Sequence, residues 1–337
     1  MKYPSDIPFQ HLIDALVDGE TRLHPRFLYR LSDLEDRDLE TLKAAWPKVP
    51  AWRRQALLED VELLSEQDYL LSFVSFACFA AQDEDPKVRQ HAVRTLWEYD
   101  APEQIPLIMS LLVSDEDAEV RAAAAGALGP YVFAGEIEEL SADVLKEIED
   151  LLLQVANSDQ PALVRRHALE ALGFSSRDEV PALIESANQS SDREWIVSAL
   201  FAMGRSANEI WHPQVLERLE DRLPAIRCEA ARAAGELELR EAVPLLLELI
   251  YDIDDNTRLA SIWSLSQIGG EGVQDELDRL YDEAEDEEEL DFIEAALDNL
   301  EFTESLNFLP FLDFSELDEE TLDDDFEGME DLDEDLY

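Results

Sequence analysis

The sequence predicts an all-α fold: a right-handed α-solenoid of stacked helix pairs, followed by a disordered acidic C-terminal tail. Three observations predict it. A motif recurs at a near-constant step, an apolar stripe of helical period runs inside each copy, and prolines and glycines stand where helices start and stop.

The motif first reads Asp85-Pro86-Lys87-Val88-Arg89-Gln90-His91-Ala92. It returns as Asp117-Ala118-Glu119-Val120-Arg121 and as Leu163-Val164-Arg165-Arg166-His167-Ala168. Later copies are Trp195-Ile196-Val197-Ser198-Ala199, Ile226-Arg227-Cys228-Glu229-Ala230 and Thr257-Arg258-Leu259-Ala260. The anchor position falls at 88, 120, 164, 195, 226 and 257, giving steps of 32, 44, 31, 31 and 31. A step of this size holds one helix pair and two short turns. The long step places an insertion at residues 130–142.

Within a copy, Val88, Ala92 and Leu96 lie at i, i+4 and i+8, the apolar stripe of a helix. Ala92, Ala124, Ala168, Ala199 and Ala230 repeat at one register. Small residues there let neighbouring helices approach closely. The second helix of several copies opens near Pro106, Pro181 or Pro244. Proline suits a first helical turn, where its missing N–H has no intrahelical partner anyway. Gly173, Gly204, Gly235 and Gly269 read as C-terminal caps.

Outside residues 83–302 the pattern loosens. Residues 39–46, 51–64 and 69–81 read as helices, with Trp52-Arg53-Arg54 a degenerate copy of the motif. Residues 1–82 are therefore expected to form an N-terminal helical cap, since a terminal repeat must hide one face from water. Residues 1–30 fit an interaction arm or a docked cap equally well. Residues 293–300 keep helical spacing and can close the array. From 303 to 337 acids alternate with Leu, Phe and Met and no period survives, which predicts a disordered tail. That tail reads as a solvating segment, as a docking motif around Phe308, Phe311 and Phe314, or as a strand of chain lying on the solenoid itself.

The chain has 337 residues, 80 of them acidic against 26 Lys and Arg, for a formal charge of −54. Such a charge repels nucleic acid and anionic lipid and favours a basic protein, cations or simple solubility. No nucleic-acid or membrane partner is expected. Cys78 and Cys228, far apart in apolar stretches, read as free thiols of a reducing compartment. Residues 1–10 lack the apolar core of a secretory signal. The longest apolar run, residues 69–81, is too short to span a bilayer. These features predict a cytoplasmic monomer.

Catalytic constellations are absent from the sequence. There is no His-x-x-x-His or Cys-x-x-Cys spacing, no phosphate loop and no nucleophile elbow. His91 and His167 share a register two units apart, too far to bind one metal. Arg89, Arg121, Arg165, Arg227 and Arg258 also share a register and predict a ladder about 10 Å per rung. The ladder can serve an acidic partner, or each arginine can bridge acidic turn residues such as Asp85, Asp117 and Asp255. The fourth copy is the least regular. There Trp195, Arg205 and Trp211 combine aromatic and guanidinium groups typical of interface anchors, while Phe201 and Met203 read as core.

The pattern Asp-x-x-Val-Arg-x-x-Ala, followed by Ala242-Val243-Pro244-Leu245-Leu246, resembles HEAT repeats. It is closest to the short bacterial type also found in phycobilisome lyase subunits, over roughly residues 83–300. The resemblance implies a scaffold that binds another protein, and with no catalytic or metal-ligand constellation in the sequence no activity, cofactor or metal is expected. Trp195, Ile196 and Thr257 depart from the pattern. Two other readings remain: a subunit of a bilin lyase or similar modifying enzyme, and an acidic chaperone or mimic that captures basic proteins.

Overall fold

A computed structural model of the chain describes residues 7–18, 20–99 and 101–308. Expectations for the tail residues 309–337 lie outside the described residues. Among the described residues all regular structure is helical. The chain divides after Leu237 into two compact units.

The first unit opens with α1 (Phe9–Val17), α2 (Asp36–Ala45), α3 (Ala51–Gln67) and α4 (Val74–Ala80). It continues with α5 (Pro86–Leu96), α6 (Ile105–Ser114), α7 (Ala118–Ala127), α8 (Gly129–Glu136) and α9 (Ala142–Ala156). It ends with α10 (Ala162–Ala171), α11 (Val180–Asn188), α12 (Arg193–Arg205), α13 (His212–Leu219) and α14 (Pro224–Glu236). The second unit holds α15 (Val243–Leu249), α16 (Asp255–Ile268), α17 (Val273–Glu283) and α18 (Glu287–Phe308).

Helices α5, α7, α10, α12, α14 and α16 carry the recurring motif. In the first unit α3, α5, α7, α10, α12 and α14 pack in succession as one layer. Each motif helix also packs on the helix before it, in the pairs α4/α5, α6/α7, α9/α10, α11/α12 and α13/α14. The second unit repeats this arrangement with α15/α16, α17/α18 and the contact of α16 with α18. The protein is an all-α repeat solenoid of stacked helix pairs.

The motif positions explain why the layer forms. Every anchor residue lies three positions after the N-cap of its helix: Asp85, Asp117, Pro161, Asp192, Leu223 and Asp254 are the caps. The aspartates accept hydrogen bonds from first-turn amides, which would otherwise lack partners. Val88, Val120, Val164, Ile226 and Thr257 are fully or almost fully buried, whereas Trp195 is only half-buried. The alanines at 92, 124, 168, 199 and 230 are all completely buried between the layers.

The glycines divide into two kinds. Gly269 has φ 67° and closes α16, its N–H bonded to Leu265 O at 2.8 Å. Gly173 and Gly204 are not left-handed caps. A Cβ on Gly173 would stand 2.8 Å from Ala202 Cα, and one on Gly204 would stand 3.1 Å from Ala233 Cα. Their function is close approach of adjacent layer helices rather than chain reversal.

The insertion at residues 130–142 adds most of α8 and the turn after it. A Cβ on Gly135 of α8 would stand 2.7 Å from Leu145 of α9, and Phe133 meets Phe174 at a ring distance of 5.5 Å. At the N-terminal end, Leu12 and Leu16 of α1 are completely buried, and α1 packs on α2. Residues 69–73 do not join α4. Tyr69 and Leu70 are strongly exposed in the turn that precedes it. Helix α18 runs past Thr303 to Phe308.

Candidate protein-binding surface

The ladder register is occupied by Arg54, Arg89, Arg121, Arg165, Arg227 and Arg258. Arg89 grips the Asp115 carboxylate through two nitrogens, each at 2.8 Å, and donates to the carbonyls of Asp83 and Glu84. Arg121 donates to Asp115 O at 2.7 Å and to Gln160 at 3.1 Å. Arg227 donates to Asp221 O at 2.9 Å. Arg258 pairs with Asp255 at 2.7 Å and Glu289 at 2.8 Å. A guanidinium with five donors in a fixed fork is suited to tie one turn to the next in this way. Among the described residues Asp85 and Asp117 form no ion pair with the ladder: each caps its own helix, and Asp85 also accepts from Gln55 at 2.7 Å.

Arg54 is the rung that sequence reasoning missed. Its signal was present: it follows Arg53 as Arg89 follows Val88. Arg54 pairs with the buried Asp83 at 2.7 Å and with Glu84 at 2.7 Å. Asp83 also accepts the Trp46 indole N–H at 2.5 Å and the Asp85 amide at 2.8 Å. Beside this hub lies an open cavity of about 820 Å³ lined by Leu39, Trp46, Val74 and Phe79 among others.

The ladder breaks at the fourth motif helix, α12, where Ile196 stands in place of arginine and is buried. The neighbouring Trp195 lies over the Arg165 guanidinium, 5.2 Å from ring centroid to Cζ. Arg165 Nε donates to Ala156 O at 3.1 Å. The two side chains border a cavity of about 310 Å³ with Asn157, Leu169, Leu183, Ala187 and two serines, Ser186 and Ser190.

Arg205 does not line this cavity; its Cζ lies 5.2 Å from the Phe174 ring centroid and 5.0 Å from that of Phe201. Trp211 departs from the expectation of an exposed anchor: it is 4% exposed in a 3₁₀ turn ahead of α13. The turn directs its large apolar surface into the core. Met203 is completely buried and Phe201 half-buried. Phe311 and Phe314 lie outside the described residues, as does the side chain of Phe308.

A second set of polar residues lies on the same layer, three or six positions after the anchors of α5, α10, α12 and α14. His91 on α5 contacts Glu62 on α3 at 2.5 Å. On α10, His167 contacts Glu170 at 2.9 Å, and Glu170 accepts the Ser198 hydroxyl of α12 at 2.5 Å. On α14, Glu229 pairs with Arg232 at 3.3 Å. Burial pushes the Glu229 carboxyl above the usual range, since the opposing pull of Arg232 is weaker. Burial also raises Glu170, but hydrogen bonds from His167 and Ser198 and the charges of His167 and Arg166 outweigh it and hold the group below the usual range. The sequence pattern shows only the shared register of His91 and His167.

Among the described residues no group of three or more His, Cys, Asp or Glu side chains could hold a metal ion. No helix among them is long and apolar enough to cross a membrane. Cys78 and Cys228 are unbridged, and burial raises the Cys78 thiol.

Residues 77–150 and 212–300 match the family model of HEAT repeats. The span between them contains Arg165, Trp195, Arg205 and all but the end of the irregular fourth repeat. No curated protein matches the chain. Among solved structures, the chain is similar to YibA of Escherichia coli, with 17% identity, 84% of this chain and 99% of that one covered, and a TM-score of 0.42. Human deoxyhypusine hydroxylase in complex with glycerol gives 18% identity, 87% and 96% covered, and a TM-score of 0.35. The complex of CpcE and CpcF of phycocyanin lyase from a Nostoc species gives 16% identity, 84% and 97% covered, and a TM-score of 0.40. The matched segments and the stacked helix pairs together identify the fold as an α-helical HEAT-repeat solenoid.

Proposed function

We propose that this chain is a non-catalytic scaffold that binds another protein on the motif-helix layer of its first unit. One observation carries the reading: the polar strip that crosses α10, α12 and α14 through His167, Glu170, Ser198, Glu229 and Arg232. The Glu170–Ser198 hydrogen bond links two helices, so the strip is a fixed pattern of donors and acceptors rather than a scatter of solvated side chains. Fixed polar patterns give specificity because a wrong partner leaves them desolvated and unpaired. His167 and Arg232 keep 37% and 59% of their side-chain surface exposed, enough to meet an incoming chain.

In this reading residues 1–82 cap the array, residues 83–302 form it, and the acidic residues beyond 303 keep it soluble or add a contact. The test is affinity capture from the native host with wild-type protein and the double variant Glu170→Arg, Arg232→Glu. Retention of a defined protein by the wild type and its loss from the variant is expected, with helical circular dichroism unchanged. Equal recovery by both proteins overturns this surface.

A further inference from the structure

We propose that the cavity beneath Trp195 is a carboxylate site, taking an Asp or Glu side chain from the bound protein. The inference rests on the scaffold reading and names the chemistry of one partner residue.

The other rungs of the ladder spend their nitrogens within the fold. Arg54, Arg89 and Arg258 each face a carboxylate of their own unit. Arg121 has a carbonyl and a glutamine amide oxygen. Arg165 spends only Nε, on Ala156 O, and both η nitrogens are without a partner among the described residues. Glu194, an acid on the first turn of α12, is already engaged by Arg166 at 3.2 Å and Arg193 at 3.0 Å. Arg165 is thus a half-buried cation with no internal anion.

Its surroundings favour a planar anion over other ligands. Arg165 Cζ lies over the Trp195 ring, 5.2 Å from its centroid, a cation–π contact that helps orient the guanidinium. A planar fork with both η nitrogens unpartnered can offer one N–H from each to a carboxylate in bidentate geometry. Ser186, Ser190 and Asn157 add neutral polar groups, and Leu169, Leu183 and Ala187 line the space for a short methylene stem. The volume of about 310 Å³ is at the lower end for ligand sites, enough for a side chain and too small for a large cofactor.

Two local departures from the repeat build the site. Three ladder arginines donate to the carbonyl six residues earlier, Arg89 to Asp83, Arg121 to Asp115 and Arg227 to Asp221. Ile196 cannot do this for Ser190, which borders the cavity. Tryptophan instead of an aliphatic anchor then supplies the wall. The chain's charge of −54 opposes any approaching acid, so only a site with a dedicated cation can select one.

The test uses the full chain and blocked amino acids. N-acetyl-glutamate α-amide is titrated while the indole N–H resonance of Trp195, assigned with Trp195→Phe, is followed by NMR. A saturable shift is expected, at least tenfold weaker with N-acetyl-glutamine α-amide and absent from Arg165→Gln. An equal response to the glutamine compound, a response retained in Arg165→Gln, or acetate binding as tightly as blocked glutamate would each overturn the proposal. Partner capture separates the two readings. If Arg165→Gln captures the partner as well as wild type while the Glu170/Arg232 double variant loses it, the carboxylate site fails and the scaffold stands. If no protein depends on either surface, the scaffold reading fails.

Discussion

Gly173 faces Ala202 of the next layer helix so closely that a Cβ on the glycine would lie 2.8 Å from the Ala202 Cα and 2.9 Å from its carbonyl oxygen. Both are backbone atoms and cannot swing away. Gly173→Ala must therefore push the 3₁₀ turn after α10 away from α12, and overpacking of this kind costs about 1–3 kcal/mol. Gly126 of α7 is the internal contrast. A Cβ there would make ordinary contacts with Trp97 at 3.5 Å and His167 at 3.7 Å. Gly126→Ala should stabilise by about 0.5–1 kcal/mol, through the lower entropy cost of alanine in a helix. Urea denaturation midpoints of the two variants are expected to move in opposite directions.

The ladder makes a second prediction, about unequal rungs. Arg89→Ala strands Asp115, whose side chain is only 5% exposed, and uncovers two carbonyls. Removing one member of a buried pair typically costs about 3–5 kcal/mol. Arg165→Ala loses one backbone hydrogen bond and a ring contact, worth about 1 kcal/mol. Denaturant unfolding should show Arg89→Ala several-fold more damaging. Equal losses would mean that Arg165 holds the fold together as strongly as Arg89 does.

The difference between these rungs shows what the sequence could reveal. The step of 31 residues identifies the buried anchors because an aliphatic stripe must recur wherever a helix meets the same neighbour. Trp195 stands out because it breaks that stripe. Trp211 does not reveal its burial, since a 3₁₀ turn rather than a helical period directs it inward. The glycines misled for a related reason: one residue type serves chain reversal and close packing alike. The register held the missing clue, for Gly173 and Gly204 both fall nine positions after an anchor. A cap would follow helix length, whereas a packing contact follows the repeat. Arg54 was hidden because Arg53 occupies the anchor position of the degenerate copy.

Asp115 and Glu229 predict opposite pH effects. Burial is the largest influence on Asp115 and raises it. Hydrogen bonds from Arg89 and the Asp117 amide, with the charges of Arg89 and Arg121, outweigh burial and hold it below the usual range. Its pairing therefore stabilises the fold above the ordinary carboxylate value, about 3.9, and that stability is lost as pH falls through the native value. Asp115→Asn should cost stability near neutral pH and little in strong acid. Glu229 has the reverse sign, because burial raises its native value. Its ionisation penalises the fold increasingly as pH rises above about 4.3, and not below. Glu229→Gln should gain stability over wild type near pH 7, and the gain should vanish near pH 4. Urea midpoints at both pH values decide the sign for each.

Asp83 joins the N-terminal helices to the first clear repeat. Its carboxylate holds the Trp46 indole, Arg54 and the Asp85 amide, while its carbonyl accepts from Arg89. Asp83→Ala leaves the Trp46 N–H unpaired and Arg54 with only the exposed Glu84, a loss of about 3–5 kcal/mol for a buried ionic contact. In a repeat array each unit touches only its neighbours, so the damage should stay local. Hydrogen exchange is expected to accelerate in α2, α3 and α4 while α12 and α14 keep their protection. Asp83→Asn retains an acceptor for the indole and should restore part of the protection around Trp46. Uniform acceleration through α14 would instead show that residues 7–82 are not a separable cap but part of one cooperative unit with the repeats.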